Sequence, residues 1–351
     1  MYGWLLAIGC AVFTYYAEAK ETYLVEGPYE GPAHITLRIY GAANFDAIEP
    51  VFKRFVETHR HRSILYTEYG TKGLYEHLSI DQDWPDVVMS PAMNYQVKLV
   101  NDGYASPNSN IETSLLPDWA HWRDEVFGFT YEPIAIAINR KIVGEGAKPS
   151  NRDEVLQLIR QAPDKFYGKV GLLDMKTVGL GYLTWAHDSE QSRLYGRLLE
   201  VYGASSARVY PNSSAMLKAL SEGDIYIAHN VLGSYALAWA DQHSQLDVIF
   251  PSEYTSVISR SAFVPKKAER IREGHEFVEF LLSPLGQKVL ADASSLIPLL
   301  LSETTGDQVS LLRLSRTSPF QPISLNLPLI LLTDYAKQML LFKEWNNALE
   351  Q

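Results

Sequence analysis

Two hydrophobic periods alternate along this chain, and that alternation limits its fold more than any other feature. Ile35, Leu37 and Ile39 repeat every second residue, the period of a strand with one buried face. Ile48, Val51, Phe52 and Phe55 then fall at i, i+3, i+4 and i+7, one stripe of a helix. Pro50 is tolerated only near a helix start, which places that start close to Asp46. Ser63–Tyr69 reads as a second strand, Thr71–Leu78 as a second helix and Asp86–Met89 as a third strand. Ser90-Pro91 then opens a third helix, with Ser as cap and Pro at the first helical position. Three such units in succession predict a mainly parallel sheet flanked by helices.

The pattern then breaks and resumes. FGFTYEPIAIAIN, 127–139, is a β-rich run, and a second α/β block begins near Ser150. That block holds a helix at Asp153–Gln161, a strand at Lys169–Leu173, helices around Tyr182 and Tyr195, a strand at Asp224–Ala228 and a helix at Leu232–Ala240. Val248–Pro265 is a second β-rich run. Helices follow from Ala268, then a loop near Thr304–Asp307 and a last helix at Tyr335–Leu349. Two α/β blocks joined by two β-rich crossings predict two lobes with a strand hinge and a ligand cleft between them.

Charge and cysteine content narrow the function. The 351 residues carry a formal net charge of −10, with no basic footprint for nucleic acid. A local basic pocket is still compatible with that total. The one cysteine, Cys10, permits no intrachain disulfide. It lies in an uncharged apolar run, Trp4 to Tyr16, that leads to Ala17-Glu18-Ala19 and reads as a secretory signal peptide, 1–19. A buried N-terminal helix and a lipid anchor at Cys10 are the alternatives. Cleavage after Ala19 leaves a cysteine-free chain suited to an oxidising periplasm.

EFVEFLLSPLGQ at 276–287 resembles the F-x-x-F-L-L-S-x-x-G-Q segment of extracellular solute-binding proteins, the type 2 periplasmic binding proteins that serve ABC transporters. Arg260–Pro265, Ile39–Asn44 and Asp86–Ser90 fit the same family, so the resemblance covers about residues 33–300. It implies an α/β, two-lobed fold with two hinge crossings: 33–130 and 258–351 as lobe one, 131–257 as lobe two. Within the family the chain looks closest to the ferric-ion-binding-like branch. Iron binders of that branch carry adjacent tyrosines after an Asn, where this chain has Val231-Leu232 after Asn230. Val and Leu give Fe(III) no anionic oxygen. The resemblance therefore implies capture of a small anionic metabolite, phosphorylated or polycarboxylated, for an ABC permease or a membrane histidine kinase. It implies a monomer without metal or cofactor. Iron binding and an enzyme on the same fold are the alternatives, but the sequence shows no proton-transfer pair.

Ligand residues are expected where helices begin at the carboxyl ends of strands. In lobe one these are Ala43, Asn44, Gly70, Thr71, Lys72 and Ser90. A cation in a first helical turn opposes the helix dipole unless an anion offsets both, so Lys72 is a ligand partner or else a solvated surface lysine. Ser90 caps a helix on either reading. In lobe two the candidates are Lys176, Thr177, His229, Asn230 and Glu253, whose other roles are caps and hinge hydrogen bonds. Tyr131 and Glu132 at the first crossing are weaker candidates. His59 and His61, two apart on an expected helix, diverge and form no zinc site.

Overall fold

The computed structural model describes residues 21–29, 31, 33–144, 148–300 and 320–349. The expected signal peptide, Cys10 and the loop at 304–307 lie outside them. No helix among the described residues is long and apolar enough to cross a membrane.

The first block runs β1 (Glu21–Val25), β2 (Ile35–Gly41), α1 (Phe45–Thr58), β3 (Arg62–Glu68), α2 (Thr71–Ile80), β4 (Val87–Ser90) and α3 (Met93–Asn101). The apolar stripe of α1 is buried, Ile48, Val51, Phe52 and Phe55 included. β2 pairs in parallel with β3 and β4, as the alternation predicts. β1, antiparallel to β3, was not legible in the pattern. α1 stops at Thr58, so His59 and His61 lie beyond it. α3 starts at Met93 rather than behind Ser90. Ser90 is still paired with Ser261 in the sheet, and its hydroxyl accepts the Ala92 amide at 3.1 Å.

β5 (Ala105–Ser106), β6 (His121–Trp122) and β7 (Val126–Gly128) precede the first crossing. The second block is β8 (Glu132–Asn139), α4 (Arg140–Val143), α5 (Arg152–Gln161), α6 (Pro163–Phe166), β9 (Val170–Leu173), α7 (Gly179–Gln191), α8 (Tyr195–Ala204), β10 (Arg208–Tyr210), α9 (Ser213–Glu222), β11 (Ile227–Leu232), α10 (Gly233–Gln242), β12 (Leu246–Ile249) and β13 (Thr255–Ile258). The chain then returns as β14 (Ser261–Pro265), α11 (Ile271–Leu282) and α12 (Pro284–Ala293), followed by β15 (Phe320–Pro322), α13 (Pro328–Leu331) and α14 (Tyr335–Leu349). The first sheet has the order β1-β3-β2-β4-β14-β7-β6, with β5 on β14. The second has the order β10-β9-β11-β8-β13-β15, with β12 on β8. This is the expected two-lobed α/β fold with two strand crossings.

The crossings are laced together. Arg260 donates its amide to Thr130 Oγ1 at 2.8 Å, Phe129 donates its amide to Arg260 O at 2.9 Å, and Ser259 Oγ donates to Thr130 O at 2.7 Å. The FLLSPLGQ segment braces the same place. Ser283 caps α12 by accepting the Gly286 amide at 3.1 Å, with Pro284 at the first helical position. A side chain at Gly286 would lie 2.0 Å from Phe280 O, so only glycine fits that corner. Gln287 Nε2 reaches Phe129 O at 3.0 Å, at the mouth of the first crossing.

The tail departs from the expected division, which had all of 258–351 in lobe one. β15 pairs with β13 in the second sheet, and α14 packs on α7 and α8. The reason is aromatic: Trp345 meets Trp185 edge-on at 5.3 Å, and Phe342 meets Tyr182 at 5.8 Å. Trp345→Ala should therefore cost about 3–5 kcal/mol, the range for emptying a large buried aromatic site, and urea unfolding will measure it.

Candidate functional site

A cavity of about 50 Å³ lies between the lobes, at the carboxyl ends of the strands. Ala42, Ala43 and Asn44 reach it from β2, Glu68, Tyr69, Gly70 and Thr71 from β3, and Pro91 from β4. Val178 and Leu180 face it after β9, Pro211, Asn212 and Ser213 after β10, and Leu232 and Tyr235 from the end of β11. Arg260 completes the wall from the return crossing. A larger groove of about 580 Å³ is lined by residues of α8 and α14 where the two helices pack together. It has Glu200 and Glu344 on its walls but gathers no set of helix N-termini, so the chemistry points to the smaller cavity.

Five helices begin at that wall: α1 at Asn44, α2 at Gly70, α7 at Val178, α9 at Asn212 and α10 at Leu232. Of these caps only Asn212 uses its own side chain, accepting the Ala215 amide at 2.8 Å. The other four make no side-chain cap bond of their own, which leaves first-turn amides for other acceptors. Each N-terminus also brings a partial positive charge, so together they favour an anion.

Arg260 adds a full charge. It is 2% exposed. Its Nε donates to Glu132 Oε1 at 3.1 Å and its Nη1 to Ala42 O at 3.0 Å. Its Nη2 is buried and has no partner among the described residues. The guanidinium lies 5.3 Å from the centre of the Tyr235 ring.

The lobes already touch. Ser214 Oγ donates to Asn44 Oδ1 at 3.2 Å, the Asn44 amide to Tyr235 Oη at 3.3 Å, and the Leu180 amide to Thr71 Oγ1 at 3.2 Å. Lys72 Nζ donates to Lys176 O at 2.8 Å and sits 3.6 Å from Glu76. Lys72 and Lys176 thus form a latch across the cleft and are not on the cavity wall.

Of the expected ligand residues, the structure brings Ala43, Asn44, Gly70 and Thr71 to the cavity. It places Ser90 in the turn behind Pro91, and Thr177 against Asp174, to which its hydroxyl donates at 2.6 Å. Glu253 caps α5, accepting from the Arg152 amide and guanidinium at 3.0 Å each. His229 and Asn230 were expected at a strand end. The strand begins later than predicted, because Gly223 ends α9 at φ 82° and the Asp224 amide still bonds Ala219 O at 2.9 Å. Both residues therefore lie inside β11, in a buried network under the sheet. His229 stacks on Trp185 at 5.3 Å, its Nδ1 3.0 Å from Tyr202 Oη. Asn230 takes φ 57° at a bulge and donates to Asp188 Oδ2 at 2.7 Å.

Sequence reasoning missed Glu68, Asn212, Ser213, Tyr235 and Arg260 as ligand candidates. Asn212-Ser213 carried a signal: an Asn cap behind a short strand.

Burial holds the His229 imidazole down at about 3 from its ordinary 6.5, with Asp188 opposing the shift and Arg152 adding to it. Below pH 6.5 the unfolded chain binds a proton that the folded chain refuses, so stability falls as pH drops toward 3. Between pH 7 and pH 5 the wild type should lose about 2 kcal/mol more than His229→Gln, measured by urea unfolding at both values.

The model of the bacterial extracellular solute-binding protein family matches residues 37–293. No curated protein sequence matches the chain. Among solved structures it is similar to the substrate-binding protein of an ABC transporter from Agrobacterium tumefaciens. That match has 26% identity and a TM-score of 0.87, over 95% of this chain and 99% of that one. The periplasmic binding protein AfuA from Actinobacillus pleuropneumoniae, with fructose 6-phosphate bound, matches at 16% identity and TM-score 0.70, over 90% and 98%. A ferric binding protein from Campylobacter jejuni matches at 17% and 0.68, over 89% and 99%.

Proposed function

The chain belongs to the bacterial extracellular solute-binding proteins, and from that premise we propose that it captures a small anionic metabolite, phosphorylated or polycarboxylated, between its lobes. The lobes, 33–130 with 258–300 and 131–257, close on the ligand as units. The protein acts in the periplasm as a monomer, after cleavage behind Ala19, and hands its ligand unchanged to an ABC permease.

One observation carries this reading: Arg260 is buried with its Nη2 unpartnered at a wall where five helices begin. A buried donor on a cation calls for an acceptor, and an anion supplies one at the lowest cost. The likeness to AfuA, described with fructose 6-phosphate, supports a phosphate-bearing ligand. Iron is the second reading. The oxygens of Glu68 and Tyr235 favour it, and the apolar Val231 and Leu232, where iron binders carry tyrosines, weigh against it.

Thermal-shift screening with inorganic phosphate, a hexose 6-phosphate, citrate and Fe(III) nitrilotriacetate separates the two. The proposal expects an anion to raise the melting midpoint; a response to Fe(III) alone contradicts it. Arg260→Lys keeps a cation beside Glu132 but removes the fork. It should weaken the responding anion by about 10–100-fold, the value of a hydrogen bond to a charged group, and titration calorimetry will measure the loss.

A further inference from the structure

The side chains of the cavity wall have donors to spare. Asn44, Thr71, Asn212, Ser213, Tyr235 and Arg260 all line it. In the first five the accepting atom already has a bond. Asn44 Oδ1 takes the Ser214 hydroxyl, Thr71 Oγ1 the Leu180 amide and Tyr235 Oη the Asn44 amide. Ser213 Oγ takes the Leu232 amide at 3.2 Å, and Asn212 Oδ1 takes the Ala215 amide. The donating ends of the same groups, and Arg260 Nη2 with them, meet no acceptor among the described residues. Three of these donors are withdrawn from water: Ser213 is 3% exposed, Tyr235 7% and Arg260 2%. Burial pushes the Tyr235 phenol above its ordinary 10, so it keeps its proton.

The rest of the wall does not supply the missing acceptors. Ala42 O accepts from Arg260, and Ala43 O from Tyr66 Oη at 2.7 Å. The carbonyls of Asn44, Gly70 and Asn212 accept amides of their own helices. Tyr69 lays its ring against His77 and Tyr40. Glu68, the one acid among the described residues of the wall, accepts the Phe45 amide at 3.1 Å and has a further partner, so it is engaged within the protein.

A buried donor left without an acceptor costs more than an ordinary hydrogen bond contributes. A ligand group lodged here relieves that cost with each acceptor oxygen it brings. Each proton it keeps works against it twice, by removing an acceptor and by adding a donor to a wall already in surplus. The space of about 50 Å³ corresponds to a few water positions at roughly 10–15 Å³ each, which suits one small head group. From this donor surplus we infer that the site takes its anion fully ionised: the head group offers acceptor oxygens only, and a phosphorylated metabolite binds as the dianion. Sulfate meets the same condition, and a phosphate monoester that has regained its proton fails it. The inference rests on the proposed anion site and narrows its ligand class.

A hexose 6-phosphate and sulfate, titrated by calorimetry into the secreted protein at pH 7.5 and pH 5, separate the two ionisation states. A phosphate monoester gains its second proton near pH ~6, so only about a tenth of it is dianion at pH 5. Its affinity should fall about tenfold between the two values, while that of sulfate should change by less than about twofold. Arg260 and Glu132 from the crossings, Glu68 from β3 and Lys72, Glu76 and His77 from α2 are the charged and titratable groups around the cavity, with Lys176 against Lys72. Sulfate meets the same groups, so it corrects for any that titrate. Tyr235→Phe, which removes one donor, should weaken both anions alike by about tenfold with an apo melting midpoint near that of the wild type. If that midpoint falls, Ser213→Ala removes another donor of the wall and makes the same test. Equal or tighter binding of the hexose 6-phosphate at pH 5, or its binding while sulfate is refused, overturns the inference. So does unchanged affinity in both donor variants. If neither anion binds, the anion site falls and the inference with it. If the hexose 6-phosphate binds and depends on Arg260 but is indifferent to pH, the anion site stands and the selection of the dianion alone is refuted.

Discussion

A guanidinium buried where two strands cross between lobes must have its charge answered nearby, and much of this structure follows from how Arg260 is answered. An unpaired ion in such a place costs several kcal/mol. Glu132, at the start of the outgoing crossing, meets Arg260 on the return crossing at 3.1 Å. Ser234 in the first turn of α10 donates to the other Glu132 oxygen. The pair therefore ties both crossings to the helix that carries Tyr235 to the cavity. With Nε and Nη1 committed, the direction of Nη2 is fixed. In the proposed site, the group that holds the hinge also presents a donor to the ligand.

The helix N-termini depend on the same geometry. In each sheet the parallel strands run toward the cleft, so the helices that follow them start there. Direct bonds, Ser214 to Asn44 and Lys72 to Lys176, join the two lobes across the cleft. On the proposed function, a ligand that touches both lobes favours the closed form by as much as its affinity differs between the open and closed forms.

How far the sequence could be read follows from the range of each interaction. Helix α1 was legible because Ile48, Val51, Phe52 and Phe55 face one core. The strand-to-helix junctions were legible for the same reason, and four candidates drawn from them, Ala43, Asn44, Gly70 and Thr71, line the cavity. Glu132 and Arg260 stand 128 residues apart, and no local period connects them. Glu68 ends its strand among residues of ordinary polarity, and only the fold brings it to Phe45. His229 and Asn230 misled because β11 is buried throughout and starts three residues later than its polar flank suggested. Lys72 was placed correctly in the first turn of α2, but a lysine is long enough to reach across the cleft to the carbonyl of Lys176. The tail escaped because α14 is held by rings, Trp345 on Trp185, that periodicity does not reveal.

The central claim is that the anion sits on Arg260 between the lobes, and anomalous diffraction from a crystal soaked in arsenate tests it most directly. Arsenate has the shape and protonation of phosphate and a strong anomalous signal. The account predicts one arsenic peak within hydrogen-bonding reach of Arg260 Nη2, bounded by the N-termini of α1, α2, α7, α9 and α10. A peak elsewhere on the protein, with the cavity unchanged, would contradict it.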